Sequence, residues 1–201
     1  MKSLITTLIV IILLVAGIYW LYNGNKMVVN NVNVDNVAST TQFVLSSTAF
    51  ANGESIPSEY TCEGSNINPP LVISGAPVGT QSFALTMYDP DVPKEVRKEG
   101  FFDHWVLYNI PATTTLISAS STIGVQGNNG SGKAGYTGPC PPSQYEPKEH
   151  RYIFTLYALD NNLNLKTGAT RQELEDILNN STTTKILEKA ILDGKYQKKL
   201  E

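Results

Sequence analysis

The chain has 201 residues, of which 41% are hydrophobic and 16% charged, with a formal net charge of -3. That length fits one ordinary domain with appendages, and the weakly acidic balance leaves no electrostatic footprint for nucleic acid or for adhesion to an anionic membrane. Two histidines and two cysteines are the entire supply of those residues, which limits where imidazole or thiol chemistry can sit.

Residues 4–22 carry no charge and are dominated by Leu, Ile and Val. A helix of roughly 20 apolar residues spans the hydrocarbon core of a bilayer, whereas a cleavable signal has a shorter apolar stretch and a small-residue cleavage site. Tyr19, Trp20 and Tyr22 close the run as interfacial aromatics do, and no Cys follows that could carry a lipid. Residues 1–22 are therefore expected to form an uncleaved transmembrane signal-anchor. One Lys lies on each side, and the amino terminus adds positive charge to the short side, which places the following domain outside the cytoplasm. Residues 23–42, rich in Asn, Val, Ser and Thr, are expected to be a flexible stalk, because so short a polar segment cannot offset its ordering entropy. The Val–Asn alternation at 28–37 would also suit an edge strand.

The globular part is expected over residues 43–201. Residues 82–88 alternate, with Phe83, Leu85 and Met87 on one face and Ala84, Thr86 and Tyr88 on the other. Residues 104–110 and 151–159 are strand-like in the same way. The mixed run Lys94, Glu95, Arg97, Lys98, Glu99 reads as a solvated loop. Near the end, Thr170-Arg171-Gln172-Glu173 is a capping box that opens a helix through about Leu178. A second helix is expected over residues 184–192, from the spacing of Ile186, Leu187, Ala190 and Ile191, with Gly194 as its stop. The expected class is mostly β, closed by small C-terminal helices.

His104 opens one strand, His150 immediately precedes another, and Asp89, in Asp89-Pro90-Asp91, follows a third. In an antiparallel sheet the end of one strand lies beside the start of its neighbour, so neighbouring strands would gather Asp89, His104 and His150 at one rim. The loop Gly135-Tyr136-Thr137-Gly138-Pro139-Cys140-Pro141-Pro142 leads towards that rim, where Gly permits close approach and Pro stiffens a shelf. A carboxylate, two imidazoles and a rigid shelf suit a small anion or phosphoryl group. The adjacent Asp89 is expected to raise the pKa of at least one imidazole. A rim position also predicts that the fold tolerates loss of His150. Taken singly, a His at a strand start is more often a structural hydrogen bonder, and an Asp beside Pro is turn chemistry.

Asp89-Pro90-Asp91-Val92-Pro93 and His104-Trp105-Val106-Leu107-Tyr108-Asn109-Ile110-Pro111 resemble the first signature of the phosphatidylethanolamine-binding protein family, which includes the Raf kinase inhibitor-like proteins. The loop Gly135 to Pro142 and the run His150-Arg151-Tyr152-Ile153-Phe154 resemble the second. Tyr60-Thr61-Cys62-Glu63-Gly64 and Asn68-Pro69-Pro70-Leu71 are similar to the amino-terminal pattern of its bacterial, Raf kinase inhibitor-like branch. The resemblance implies an antiparallel β fold of two sheets in Greek-key connection. It also implies a shallow pocket contacted by Asp89, His104 and His150, with the backbone of Gly138, Cys140 and Pro142 as its wall. One departure is the link Ser143-Gln144-Tyr145-Glu146-Pro147-Lys148-Glu149, which is longer than in bacterial members and lacks Gly. Cys62 and Cys140 both fall in family-like motifs, and an outward-facing domain permits oxidation. They are expected to lie close together, either bonded or as two separate buried thiols.

The resemblance implies a binding protein for a small anion or a phosphorylated head group, or an inhibitor that occludes a kinase or protease. No catalytic residue and no cofactor is expected. Two other readings stand beside it: a metal-dependent enzyme in which Asp89, His104 and His150 hold iron or zinc, and a scaffold whose pocket is vestigial. The chain lacks the Gly-x-Ser-x-Gly elbow of a serine hydrolase and the spacing of a nucleotide-binding P-loop.

Overall fold

The computed structural model of the protein describes residues 42–199. The anchor expected at 1–22, and all but the last residue of the stalk expected at 23–42, lie outside them. Among the described residues no helix is long and apolar enough to cross a membrane.

Eight strands and one α-helix follow in order: β1 (Val44–Ser47), β2 (Leu71–Ser74), β3 (Ser82–Asp89), β4 (Phe102–Pro111), β5 (Leu116–Ile117), β6 (Val125–Gln126), β7 (Glu149–Leu159), α1 (Arg171–Asn180) and β8 (Ile186–Gln197). They form a three-stranded sheet, β1-β2-β5, and a five-stranded sheet, β6-β4-β3-β7-β8, with every pairing between named strands antiparallel. β3 lies in the middle of the larger sheet, so its alternation is buried on both faces. Phe83, Leu85 and Met87 join Leu45, Leu71 and Ile73 of the smaller sheet, and Phe43 just before it, in the main core. Ala84 turns the other way, into a second cluster closed by Leu174 and Leu178 of α1.

α1 begins where the sequence places it. Thr170 accepts from the backbone of Glu173, and the Glu173 side chain reaches back to the Thr170 N–H, so two otherwise unpaired donors are satisfied together.

The second expected helix, 184–192, is instead strand β8. Its apolar stripe was short enough to fit either period, and pairing along the whole of β7 decides between them. Ala190, Leu192 and Tyr196 enter the main core at a period of two, while Leu187 and Ile191 are exposed. Gly194 is no helix stop. A Cβ there would come within 2.6 Å of Ile56 and 2.9 Å of the Phe50 ring, so any side chain at this position would have to displace both.

Candidate functional site

β3 runs antiparallel to β4 on one side and to β7 on the other; its last residue, Asp89, pairs with Phe102 at the start of β4, while the first turn-side residues of β7, with His150 among them, run on past its end. Asp89, His104 and His150 all line one cavity of about 350 Å³, together with Val92, Arg97 and Phe102. Gly138, Cys140 and Pro142 line the same cavity. Each position expected from the sequence is thus present at one site.

His104 reaches it through a β-bulge. Met87 pairs with Trp105 and Tyr88 with Asp103, which leaves His104 as an extra residue without a partner across the ladder. Trp105 already faces the main core, and strict alternation would turn His104 away from it. The bulge turns it back, so its ring meets Tyr152 edge-on at 5.1 Å. Its Nδ1 donates to the carbonyl of Thr137 at 2.6 Å, and Thr137 N–H returns a 2.9 Å bond to the His104 carbonyl. A carbonyl only accepts, so the proton is on Nδ1, and Nε2 is the nitrogen left for a ligand.

His150 is tied differently. Its Nδ1 donates to the Asp89 carboxylate at 2.7 Å, while the other Asp89 oxygen accepts from the Asp91 N–H at 2.8 Å. His150 is 0% exposed, Asp89 3% and His104 4%. His150 Nε2 is buried and has no hydrogen-bond partner among the described residues.

Burial dominates the electrostatics. It holds the His104 pKa down to about 4, against the opposing pull of Thr137, Asp89 and Asp103. At His104 burial therefore outweighs the raising effect of Asp89, and the desolvated ring is neutral near pH 7. Among the described residues, no three His, Cys, Asp or Glu side chains are arranged to hold a metal ion. Asp89 directs its carboxylate to His150, not to a position shared by both imidazoles.

The shelf is held from behind by the segment around residues 58–66. Asn66 Oδ1 accepts from Gly138 N–H at 2.7 Å, Pro139 O accepts from Cys62 N–H, and the Tyr136 hydroxyl donates to Tyr60 O. Cys62 and Cys140 are joined in a disulfide with Cα atoms 5.4 Å apart. Of the two alternatives for the thiols, the structure has the bonded one.

Arg97 was not expected here. It sits in the charged run read as a solvated loop. Lys94, Glu95, Lys98 and Glu99 are indeed exposed, but Arg97 turns in. Its guanidinium lies 4.9 Å from the centre of the Phe102 ring and donates to Gly130 O at 2.9 Å. The one available signal was its identity: a single Arg among lysines, and only the planar fork both stacks and bonds in this way.

A family model described as phosphatidylethanolamine-binding protein matches residues 46–197. The chain belongs to the phosphatidylethanolamine-binding protein family. A UPF0098 protein of Chlamydia pneumoniae is 46% identical over 155 residues, covering 77% of this chain and 98% of the relative. A UPF0098 protein of Pyrococcus horikoshii is 40% identical over 161 residues, covering 76% of each. Among solved structures, a phosphatidylethanolamine-binding protein homologue of Chlamydia trachomatis superposes with TM-score 0.72 at 38% identity, covering 78% of this chain and 98% of that one. Escherichia coli YbcL, described as a member of the mammalian family, gives TM-score 0.67 at 32% identity, over 78% and 99% of the two chains. The two-sheet β architecture is thus shared with relatives as well as internally consistent.

Proposed function

We propose that this family member binds a small oxyanion or phosphorylated head group in the cavity bounded by Asp89, His104, His150 and the Gly138–Pro142 shelf. The observation that carries the reading is His150 Nε2, a buried polar atom with no hydrogen-bond partner among the described residues, on a side chain that lines the cavity. Leaving such an atom unsatisfied costs about 1–3 kcal/mol, and a bound ligand that reaches it would recover that cost. The supporting features are a rigid wall with few mobile side chains and one inward-turned cation, Arg97. The Asp89 carboxylate is turned to His150 and orients that ring instead of meeting the anion itself.

The uncharged run at residues 4–22 supports display of this domain outside the cytoplasm on a membrane anchor. Calorimetric titration of the full-length chain with inorganic phosphate and with phosphoethanolamine tests the binding. Saturable binding of either is expected, and binding of neither would return the site to the vestigial-scaffold reading.

A further inference from the structure

The cavity's polar atoms differ in kind, and the difference narrows what it can hold. Arg97 Nη2 is committed to Gly130 O, and the plane of the guanidinium rests on Phe102. Gly130 makes room for it: a Cβ at that position would fall 2.9 Å from Arg97 Nη1 and 2.9 Å from the Phe102 ring. Gly130 is itself fixed by its N–H, which donates to Asp103 O at 2.7 Å. A ring, a carbonyl and a missing side chain therefore set one guanidinium in the cavity wall, with Glu99 no closer than 3.9 Å to its Nε.

Across the same cavity, His104 offers the opposite function. Thr137 O takes the Nδ1 proton, so the Nε2 left for a ligand is a lone pair. Burial keeps the ring from gaining a second proton near neutral pH. The charged and titratable groups around it are Asp89 at the end of β3, Asp103 on β4, His150 and Tyr152 on β7 and Arg97 in the loop between β3 and β4. An anion that presents only lone pairs would be attracted by Arg97 and repelled by His104 Nε2.

We propose that the site selects an oxyanion carrying its own proton, a protonated phosphate or phosphate monoester, with Arg97 gripping the charge and His104 Nε2 accepting the P–OH. This rests on the anion-binding reading above and sharpens it. Phosphate monoesters lose their second proton with a pKa of about 6, so the protonated form is available at and below neutral pH. Sulfate matches its tetrahedral shape but has no proton to give at this pH. A phosphodiester also lacks the proton.

Calorimetry of the full-length chain at pH 6 compares inorganic phosphate, sulfate and diethyl phosphate. Phosphate is expected to bind at least about tenfold tighter than the other two, the discrimination that an unsatisfied polar group typically enforces. Arg97→Gln should weaken phosphate about tenfold or more, and Gly130→Ala, which keeps Arg97 but displaces its guanidinium, should weaken it in the same direction. Sulfate bound as tightly as phosphate would overturn the proton-reading role while leaving anion binding intact. Undiminished binding by both variants would remove Arg97 from the site. If wild type binds none of the three, this inference and the anion reading fall together.

Discussion

His150 donates from Nδ1 to Asp89 at 2.7 Å, joining strand ends 61 residues apart in a pair almost wholly shielded from solvent. The sequence placed both at a rim and so implied that His150 could be lost without harm to the fold. Burial of the pair argues the other way. His150→Ala leaves the Asp89 carboxylate with only the Asp91 N–H, and breaking a buried pair from one side costs about 3–5 kcal/mol. Asp89→Asn keeps an acceptor oxygen and should cost less. Urea unfolding of both variants checks the order, and a His150→Ala chain as stable as wild type would show that the pair is not structural.

Acid should weaken the fold through His104. Its pKa is about 4 in the folded chain against an ordinary 6.5, so between those values the unfolded chain binds a proton that the folded chain refuses. Stability from this group is whole above about pH 6.5 and is lost as pH falls towards about 4. The loss is on the order of 3 kcal/mol. Urea midpoints at pH 7 and pH 4.5 should differ less in His104→Gln than in wild type. Equal pH dependence in the two proteins would contradict the assignment.

The Cys62–Cys140 bond closes a loop of 78 residues between the shelf and the segment behind it. Constraining a loop of that size stabilises by at most about 4–5 kcal/mol in the chain-entropy account. Cys62→Ser with Cys140→Ser should lower the urea midpoint by an amount that added dithiothreitol reproduces in wild type. A midpoint unmoved by reductant, with two free thiols counted in denaturant, would mean that the bond is absent in the isolated protein.

Gly138→Ala tests the wall without removing a polar side chain. Its Cβ would lie 2.5 Å from Tyr60 O and 2.7 Å from Asn66 Oδ1, against fixed backbone and an existing hydrogen bond. The shelf must shift, so both phosphate binding and the unfolding midpoint should fall, the latter by roughly 1–3 kcal/mol in free energy. Unchanged values for both would show that the shelf is looser than its contacts imply.

The legible parts of the sequence were those in which residue type and position agree. The alternation of Phe83, Leu85 and Met87, the Thr170–Glu173 cap and the strand-end placement of Asp89 and His150 could each be read locally. β8 could not, because a short apolar stretch fits both periods and only its partner β7 chooses. His104 does line the cavity, although the bulge that aims it is invisible to any alternation rule. Arg97 was hidden because its turn inward depends on Gly130 and Phe102, one of them 33 residues away, not on the charged neighbours that surround it.

The central claim is that one small oxyanion meets both imidazoles. With only two histidines in the chain, the ¹⁵N spectrum of histidine-labelled full-length protein has one pair of ring signals for each, assignable with His104→Gln. Titration with phosphate at pH 6 should move the Nε2 signals of His104 and His150 together along one saturable curve, while the His104 Nδ1 signal, held by Thr137, moves little. If both Nε2 signals stay where they are as phosphate is raised to millimolar levels, no anion binds between them and the account of this site is wrong.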